Sequence, residues 1–349
     1  MDIPRDPISP ASARAEPDGL ALTELLTAAL SRRRPLIDQL EAEACDCYRV
    51  FHGSAEGWPG LSIDRYGDYL LAQTWGDPLD APALAAIETL LGARFDLPLI
   101  WNPRGTGAGP GSPLPSGLPE LPIGEELGLR YGLPPRHRGQ DPLLFLDLRA
   151  ARRRVLAESA GLEVLNLFAY SCGIGLCAAK GGASAVWNVD FAASALEVGR
   201  QNAERNGLNG PSTRYLNEDV LPALRQLAGL SVPLRRGKHP RYLRLRPRQF
   251  DLVVLDPPTW STGPFGAVDI VRDYAGLFKP ALLATRPGGR VLATNHAAQV
   301  AREDWWAILE RCAVKAGRPL RDLEPIEPEA DFPSLDGAPP LKMVLATVG

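Results

Sequence analysis

Val164–Gly175 reads VLNLFAYSCGIG, and a second stretch, Phe250–Trp260, reads FDLVVLDPPTW. Each is an apolar run rich in Val, Leu and Phe that ends in a polar loop. Such runs, bounded by Gly or Pro, are buried strands of a parallel sheet, whose C-terminal ends carry ligand chemistry in open α/β folds. The two loops are therefore expected to face one crevice. The first offers a glycine turn opening a helix. The second offers an acid followed by two prolines that stiffen the backbone at the strand tip.

From about Gly161 onward, strand and helix alternate regularly, the pattern of a doubly wound sheet. Strands are predicted at 163–168, 185–190, 213–217, 250–256 and 289–295. Helices fit between them, notably AASALEVGRQNAERN, closed by Gly207, and a long helix from Val268 to Arg286 stopped by Pro287-Gly288-Gly289. After a helix in WWAILERCAVKAG, two more strands follow at 320–325 and 342–347. A final hairpin after five parallel strands predicts an α/β fold with a seven-stranded, Rossmann-like methyltransferase sheet rather than a dehydrogenase sheet. This domain is expected at 146–349. Before it, 21–145 predicts a smaller α+β domain, with a helical pattern interrupted at Pro35, strands in YRVFHG and GLSIDRYGDYLLAQTWG, and a helix near 84–93. Gly105–Pro122 is so rich in Gly and Pro that it reads as an exposed loop between two strands of that small domain. Residues 1–20, rich in Pro, Ala and Asp without apolar periodicity, read as a disordered tail.

With 349 residues, 45% of them hydrophobic, the chain has material for two cores. A net charge of −3 and a pI near 5.9 exclude a globally basic nucleic-acid binder, so any RNA contact must come from local patches. Cys45, Cys47, Cys172, Cys177 and Cys312 are odd in number and form no CxxC pair, which argues for reduced thiols in a cytoplasm. No apolar run approaches the roughly 18 residues of a membrane span. The start MDIPRDPISP also lacks the features of a signal peptide. The expectation is a cytoplasmic protein with no membrane partner, and nothing in the sequence sets an oligomeric state. No two histidines stand at ligand spacing, so no metal site is expected.

Gly173-Ile-Gly175-Leu-Cys-Ala178 satisfies G-x-G-x-x-G/A, with Asp190 closing the next strand. A glycine turn lets backbone approach a nucleotide-like ligand, and a carboxylate at the second strand end accepts both ribose hydroxyl hydrogens. NAD and S-adenosylmethionine share that ribose, and a tight turn with no ligand also fits. Glu218-Asp219, at the third strand tip, suits an adenine amino group or equally a helix cap. Asp256-Pro257-Pro258-Thr259-Trp260 is more discriminating. A diproline aims Asp256 and adjacent carbonyls at a flat substrate edge, and Trp260 offers a stacking face. The plainer alternative is a turn starter with a tryptophan covering the sheet. Together the two motifs point to a methyltransferase using S-adenosylmethionine. His296, at the fifth strand tip, reaches toward the same crevice.

Ser231–Gln249 contains Arg235, Arg236, Lys238, Arg241, Arg244, Arg246 and Arg248 and no acid. Without those seven, the 38 basic residues fall to 31 against 41 acidic. This local concentration, interleaved with Tyr242, suits RNA phosphates, or else a solvated loop paired with an acidic body. Because it precedes the fourth strand, the loop is expected at the end of the sheet opposite the tips.

From about Tyr48 onward the chain resembles the bacterial large-subunit (23S) rRNA methyltransferases I and K. The resemblance rests on GLSIDRYGDYLLAQ, Gly139-Gln140, FLDLRAAR (Phe145–Arg152), VLNLFAYSCGIG, Asp190 and LDPPTW. It implies a cofactor site of Phe145, Asp147, Arg149, Asn166, Phe168, Tyr170, Gly173, Asp190 and Asp219, with Asp256–Pro258 facing the target base. Three departures stand out. The family's cytosine-C5 branch has a cysteine at the fifth strand tip, where this chain reads Ala293-Thr294-Asn295-His296. A pyrimidine C5 is a poor nucleophile that needs such covalent activation, and Cys312 lies mid-helix. The pattern instead resembles the K branch, which methylates guanine N7, a nucleophile that needs only positioning. The family's Gly-Gln-Lys-Thr-Gly becomes Gly139-Gln140-Asp141-Pro142-Leu143, and the N-terminal RNA-binding domain of methyltransferase I is not matched.

The expected function is therefore S-adenosylmethionine-dependent base methylation of RNA, either 23S rRNA or an assembling ribosomal particle. Asp256, Pro257 and Pro258 would hold the base, Trp260 would stack on it, and Asn295 or His296 would position it. Arg235, Arg236, Lys238, Arg241 and Arg244 would meet phosphates. A noncatalytic cofactor-binding RNA-contact or assembly protein is the competing class, motivated by Asp141 and the missing cysteine. An NAD-linked oxidoreductase rests on GIGLCA alone.

Overall fold

The computed structural model describes residues 19–104, 111–137, 139, 141–233 and 241–349. The expected tail lies outside them except for Gly19 and Leu20, which begin a helix. By contacts the chain forms two compact units that divide between Pro122 and Ile123, earlier than the composition shift implied.

The smaller unit runs α1 (Gly19–Ala42), β1 (Cys47–His52), β2 (Leu61–Tyr66), β3 (Tyr69–Thr74), α2 (Ala81–Phe95) and β4 (Leu99–Pro103). Its sheet has the order β1-β2-β3-β4, antiparallel except for β4, which lies parallel to β3 after the α2 crossover. Asp80 starts α2 by accepting the Ala83 amide, which satisfies one orphan donor of the first turn. The expected interruption at Pro35 is absent: α1 continues through it. Leu22, Leu26, Ala29, Arg33, Ile37 and Leu40 are all buried at helical spacing on both sides of the proline. Each buried aliphatic side chain is worth about 1.5–3 kcal/mol, so this stripe outweighs the ~3 kcal/mol cost of an interior proline.

The larger unit begins with a hairpin, β5 (Ile123–Glu126) and β6 (Leu129–Gly132), then α3 (Arg149–Glu158), β7 (Glu163–Leu167), α4 (Gly173–Lys180), β8 (Ala185–Asp190), α5 (Ala193–Arg205), β9 (Thr213–Asn217), α6 (Val220–Leu227) and β10 (Phe250–Leu255). It continues with β11 (Trp260–Gly263), β12 (Gly266–Asp269), α7 (Ala275–Leu283), β13 (Thr285–Asn295), α8 (Arg302–Ala316), β14 (Leu320–Ile326) and β15 (Lys342–Val348). The seven-stranded sheet has the order β14-β15-β13-β10-β7-β8-β9. Its five central and edge strands from β13 to β9 are parallel, and β15 and β14 close it antiparallel. After β9 the chain returns to the other side of β7 to form β10. The tips of β7 and β10 therefore flank the point where strand order reverses, which is where open α/β sheets bind ligands.

Two expectations need correction. Val268 does not begin a helix; it lies in β12, paired with Ser261 of β11. The turn Gly263-Pro264-Phe265-Gly266 closes this hairpin, Val268 is buried, and Asp269 Oδ1 then accepts the amides of Val271 and Arg272. Local turn chemistry thus wins over helical composition, and α7 starts only at Ala275. Pro287-Gly288-Gly289 is not a terminator between helix and strand either. It lies inside β13, where the register against β10 slips between Phe250 and Leu252 and Gly288 takes φ +77°. This is a bulge, the usual place for glycine and proline within a strand. The loop after β4 leads into β5, which clusters with the larger unit, not the smaller one; its residues 105–110 lie outside the described residues.

Candidate active-site crevice

The loop from β7 to α4 shapes one wall of the crevice. Phe168, Tyr170 and Cys172 all adopt left-handed φ, at +56°, +49° and +61°. Non-glycine residues in this region carry strain of order 1–3 kcal/mol each, and such strain clusters at functional sites. Hydrogen bonds hold the loop: the Ala169 amide donates to Val189 O at 3.1 Å, and Ser171 Oγ donates to Leu143 O. Beneath it, Asn166 Nδ2 donates to Asn188 Oδ1 at 2.9 Å, a buried polar pair across β7 and β8. A Cβ on Gly175 would fall 2.0 Å from that same oxygen. The second glycine of the motif therefore allows α4 to pack on the asparagine pair. A Cβ on Gly173 would meet only ordinary contacts at 3.7 Å, so nothing in the protein crowds the crevice there.

Asp190 ends β8 with both oxygens engaged by backbone. Oδ2 accepts the Tyr170 amide at 2.8 Å and Oδ1 accepts the Ala192 amide at 2.8 Å. Burial pushes this carboxyl above its ordinary value, against the opposing pull of the Ala192, Tyr170 and Phe191 amides. The carboxylate keeps acceptor capacity beyond these amides for a hydroxyl donor. The adjoining cleft, small and partly open to solvent, is lined by Leu144, Phe145, Phe168, Tyr170, Ile174 and Asp256 among others. Phe145 and Tyr170 rings lie 5.3 Å apart. The Phe145 backbone is fixed by Arg152, whose Nη1 donates to Phe145 O at 2.8 Å while its other nitrogens pair with the fully buried Glu126. This support from β5 was not read from the sequence, although Arg152 closes the FLDLRAAR stretch.

The opposite wall is the Asp256 cluster. Asp256 Oδ1 accepts Thr294 Oγ1 at 2.5 Å and is bonded to His296 Nε2 at 2.8 Å. Tyr274, fully buried, donates its hydroxyl to Thr294 O at 2.8 Å and fixes the β13 tip from behind. Burial works against a charged His296. The Asp256 carboxylate, by charge and hydrogen bond, with Asp147 adding charge, prevails over that burial and over Lys342, leaving the imidazole pKa above its ordinary 6.5. Lys342 itself donates to Ala297 O and Pro340 O, and burial followed by Arg302 pushes it down to about 8.

The sequence-predicted residues separate into groups. Phe145, Asn166, Phe168, Tyr170, Gly173 and Asp256 line one cleft, with Asp190 bonded to its Tyr170. Asp147 is close enough to act on His296. The Arg149 guanidinium is buried on Glu329 and Asp331. Asp219 caps α6 by accepting the Leu221 amide, and the β11–β12 hairpin covers it so closely that a Cβ on Gly263 would sit 2.6 Å from Oδ2. Asn295 is fully buried, its Oδ1 accepting the Ala297 amide, whereas the His296 side chain is 29% exposed. Pro257 and Pro258 lead from Asp256 to Trp260, which is 43% exposed. Arg235, Arg236 and Lys238 lie outside the described residues, while Arg241 and Arg244 are exposed. Thr294 and Tyr274 were missed as site residues because nothing in their spacing reveals a bond to the β10 tip.

The arginine segment is not confined to the far end of the sheet. The Leu243 amide donates to Glu218 Oε2, just beyond β9, and the Tyr242 ring meets Phe265 of the β11–β12 turn edge-on at 5.4 Å. Residues 241–245 thus reach the strand-tip end before the chain descends to β10.

These groups fit S-adenosylmethionine. Asp190 has acceptor capacity for the ribose diol, the Leu144, Phe145, Phe168 and Ile174 surfaces suit adenine and the methyl carbon, and Asp147 and Asp256 supply negative charge for a cation.

Residues 118–347 match the family model of S-adenosylmethionine-dependent methyltransferases. The chain is 30% identical over 294 residues to ribosomal RNA large subunit methyltransferase I of Aeromonas hydrophila, covering 82% of this chain and 70% of that protein. It is 30% identical over 336 residues to a ribosomal RNA large subunit methyltransferase of Deinococcus radiodurans, covering 91% and 78%. Among solved structures, a candidate methyltransferase complexed with S-adenosylhomocysteine aligns with a TM-score of 0.79 at 20% identity, covering 96% of this chain and 83% of that one. A SAM-dependent methyltransferase from Agrobacterium tumefaciens aligns at 0.62 with 18% identity, covering 87% and 90%. The two structures share the fold.

Proposed function

The chain belongs to the S-adenosylmethionine-dependent methyltransferase family, and within it we propose that the methyl acceptor is a base of large-subunit ribosomal RNA, naked or in an assembling particle. The observation that carries this reading is the cleft at the strand-order reversal, lined by Tyr170, whose amide Asp190 accepts, and by Asp256, which is bonded to His296. The substrate class is supported by the names of the relatives at 30% identity.

The cofactor supplies a methyl group on a cationic sulfonium that leaves as a neutral thioether, so an apolar pocket favours transfer. In this proposal Asp190 holds the ribose, and Phe145, Phe168, Tyr170 and Gly173 shape the pocket, with Asp147, Asn166 and Asp219 around it. Arg149 acts indirectly, by anchoring α3 to Glu329 and Asp331. Asp256, Pro257 and Pro258 present a rigid edge to the base, Trp260 stacks on it, and His296 orients Asp256 while Asn295 braces the turn below. The smaller unit, together with Arg241 and Arg244, contributes to RNA recognition.

The proposed acceptor is guanine N7 or another atom that needs no covalent activation, in preference to cytosine C5. The β13 tip carries no thiol. Cys172 is buried, donates to Tyr170 O, and its pKa is raised by burial and then by Asp190; Cys177 is pushed up to about 12 by burial. Cys312 is buried in α8 and likewise raised by burial. A thiolate is the nucleophile such chemistry requires. Transfer of labelled methyl to total RNA of a deletion strain, followed by nucleoside analysis, tests the reading. Label on guanine N7 is expected. Label on cytosine C5 would overturn the acceptor assignment, and no label on any RNA would shift weight to a noncatalytic cofactor-binding role.

A further inference from the structure

Resting on the RNA reading above, we propose that Tyr242, Arg244 and Phe265 form a platform for an unpaired nucleotide that flanks the target base. The Arg244 guanidinium lies 4.7 Å from the Tyr242 ring centroid, and its Nη1 donates to the Tyr242 hydroxyl at 2.9 Å. The Tyr242 ring in turn meets Phe265 at 88°. The backbone beneath is held although it forms no helix or strand. Gln226 Nε2 donates to Leu243 O at 2.9 Å, Gln226 Oε1 accepts the Leu245 amide at 3.1 Å, and Glu218 accepts the Leu243 amide. Leu243 is nevertheless 46% exposed between these clamps. A pinned segment that shows apolar and aromatic surface beside exposed Arg241, Arg244 and Arg246 is matched to a ligand with flat apolar faces and negative charge.

A single nucleic-acid strand has both. In a duplex the base faces are stacked and hidden, so aromatic side chains there have nothing to cover. The platform also takes a different nucleotide from Trp260. Trp260 opens β11 and Phe265 lies beyond its far end, so the four-residue strand sets them roughly 10 Å apart or more, further than one base reaches. The occupant is therefore a neighbour of the target nucleotide, held while the target enters the crevice.

Fluorescence anisotropy tests this, using the full chain with a labelled 12-nucleotide single-stranded RNA of mixed sequence and a duplex of the same length. Phe265→Ala is expected to weaken single-strand binding about tenfold and duplex binding little. Phe265→Leu, which keeps apolar bulk in the pocket that Phe265 lines with Leu221 and Val268, should show the same loss with an unchanged melting temperature. Arg244→Gln should lower the slope of log affinity against log salt by about 0.7. Single-strand binding within twofold of wild type in both Phe265 variants, or equal losses on both RNAs, would overturn the platform alone. Calorimetric cofactor binding in the same samples separates the two readings: a wild-type protein that binds cofactor but neither RNA would sink the ribosomal RNA reading together with the platform.

Discussion

The smaller unit and the crevice of the larger one both bury carboxylates, and they hold them differently. In the smaller unit, Asp64 is fully buried and takes two hydrogen bonds from Arg49, at 2.7 and 3.0 Å. Glu56 sits between Arg32 and Arg33 and also accepts the His52 amide. Burial, then the charges of Arg49 and Arg33, push His52 down to about 3, so it is neutral at physiological pH. In the crevice of the larger unit, Asp190 is held by two backbone amides and Asp256 by a threonine and a histidine. Among the described residues no arginine or lysine pairs with either. A carboxylate saturated by guanidinium is spent on the fold. One fixed by amides and hydroxyls keeps direction, charge and lone pairs for a ligand.

That contrast can be broken by removing one carboxylate of each kind. Glu56→Ala would break the buried ion pair that Glu56 makes with Arg33, both side chains being 1% exposed. Such losses cost about 3–5 kcal/mol, so urea unfolding should shift strongly, while cofactor affinity of the folded protein stays the same. A shift below about 1 kcal/mol would mean that this pair is not structural. Asp256→Ala should lower turnover by roughly 100- to 1000-fold with little change in cofactor Kd, the scale seen when one preorganised polar group leaves an active site. Asp190→Ala should do the reverse, raising cofactor Kd by roughly 10- to 100-fold through two lost charge-assisted hydrogen bonds. Equal effects of both variants on Kd, measured by calorimetry, would end the division of roles.

The smallest expected effect concerns pH. The His296 pKa is raised, so its attraction to Asp256 is complete below its ordinary 6.5 and is lost as pH rises through the higher folded value. Turnover at saturating substrate should therefore fall several-fold as pH rises above 6.5 through that raised value. His296→Gln, which can still reach Asp256 as a neutral donor, should flatten that limb without moving cofactor Kd. A wild-type profile that is already flat across this range would remove His296 from the site.

The strand tips were legible because burial on both sheet faces forces continuous apolar runs, and the residue after each run is then a tip residue. VLNLF placed the loop after β7 at a strand tip, and FDLVVL placed Asp256, without any tertiary information; Phe168 and Tyr170 within that loop came from the family resemblance. The β11–β12 hairpin was misread since WSTGPFGAVD has no apolar alternation, and its only signal is the Gly-Pro-Phe-Gly turn. The helix through Pro35 was misread for the opposite reason: a local breaker outshone a buried stripe visible only once α1 has a partner. Cys172 stands in the middle of that loop, and its spacing along the chain carries no sign of its burial. The structure shows it buried beneath that loop, which is why Gly199, where a Cβ would fall 2.5 Å from its sulfur, must be glycine.

By itself, the sequence determined the alternation of strand and helix, the seven-stranded sheet implied by the closing hairpin, and which acids end which strands. All of these follow from periods of two and 3.6 residues and from where apolar runs stop. Only the tertiary structure decided which charged residues are neutralised and which remain for chemistry. Arg149 meets Asp331 across 182 residues of chain, and His296 meets Asp256 across 40. Charge pairing acts over a few ångströms of space, and spacing along the chain carries no record of it.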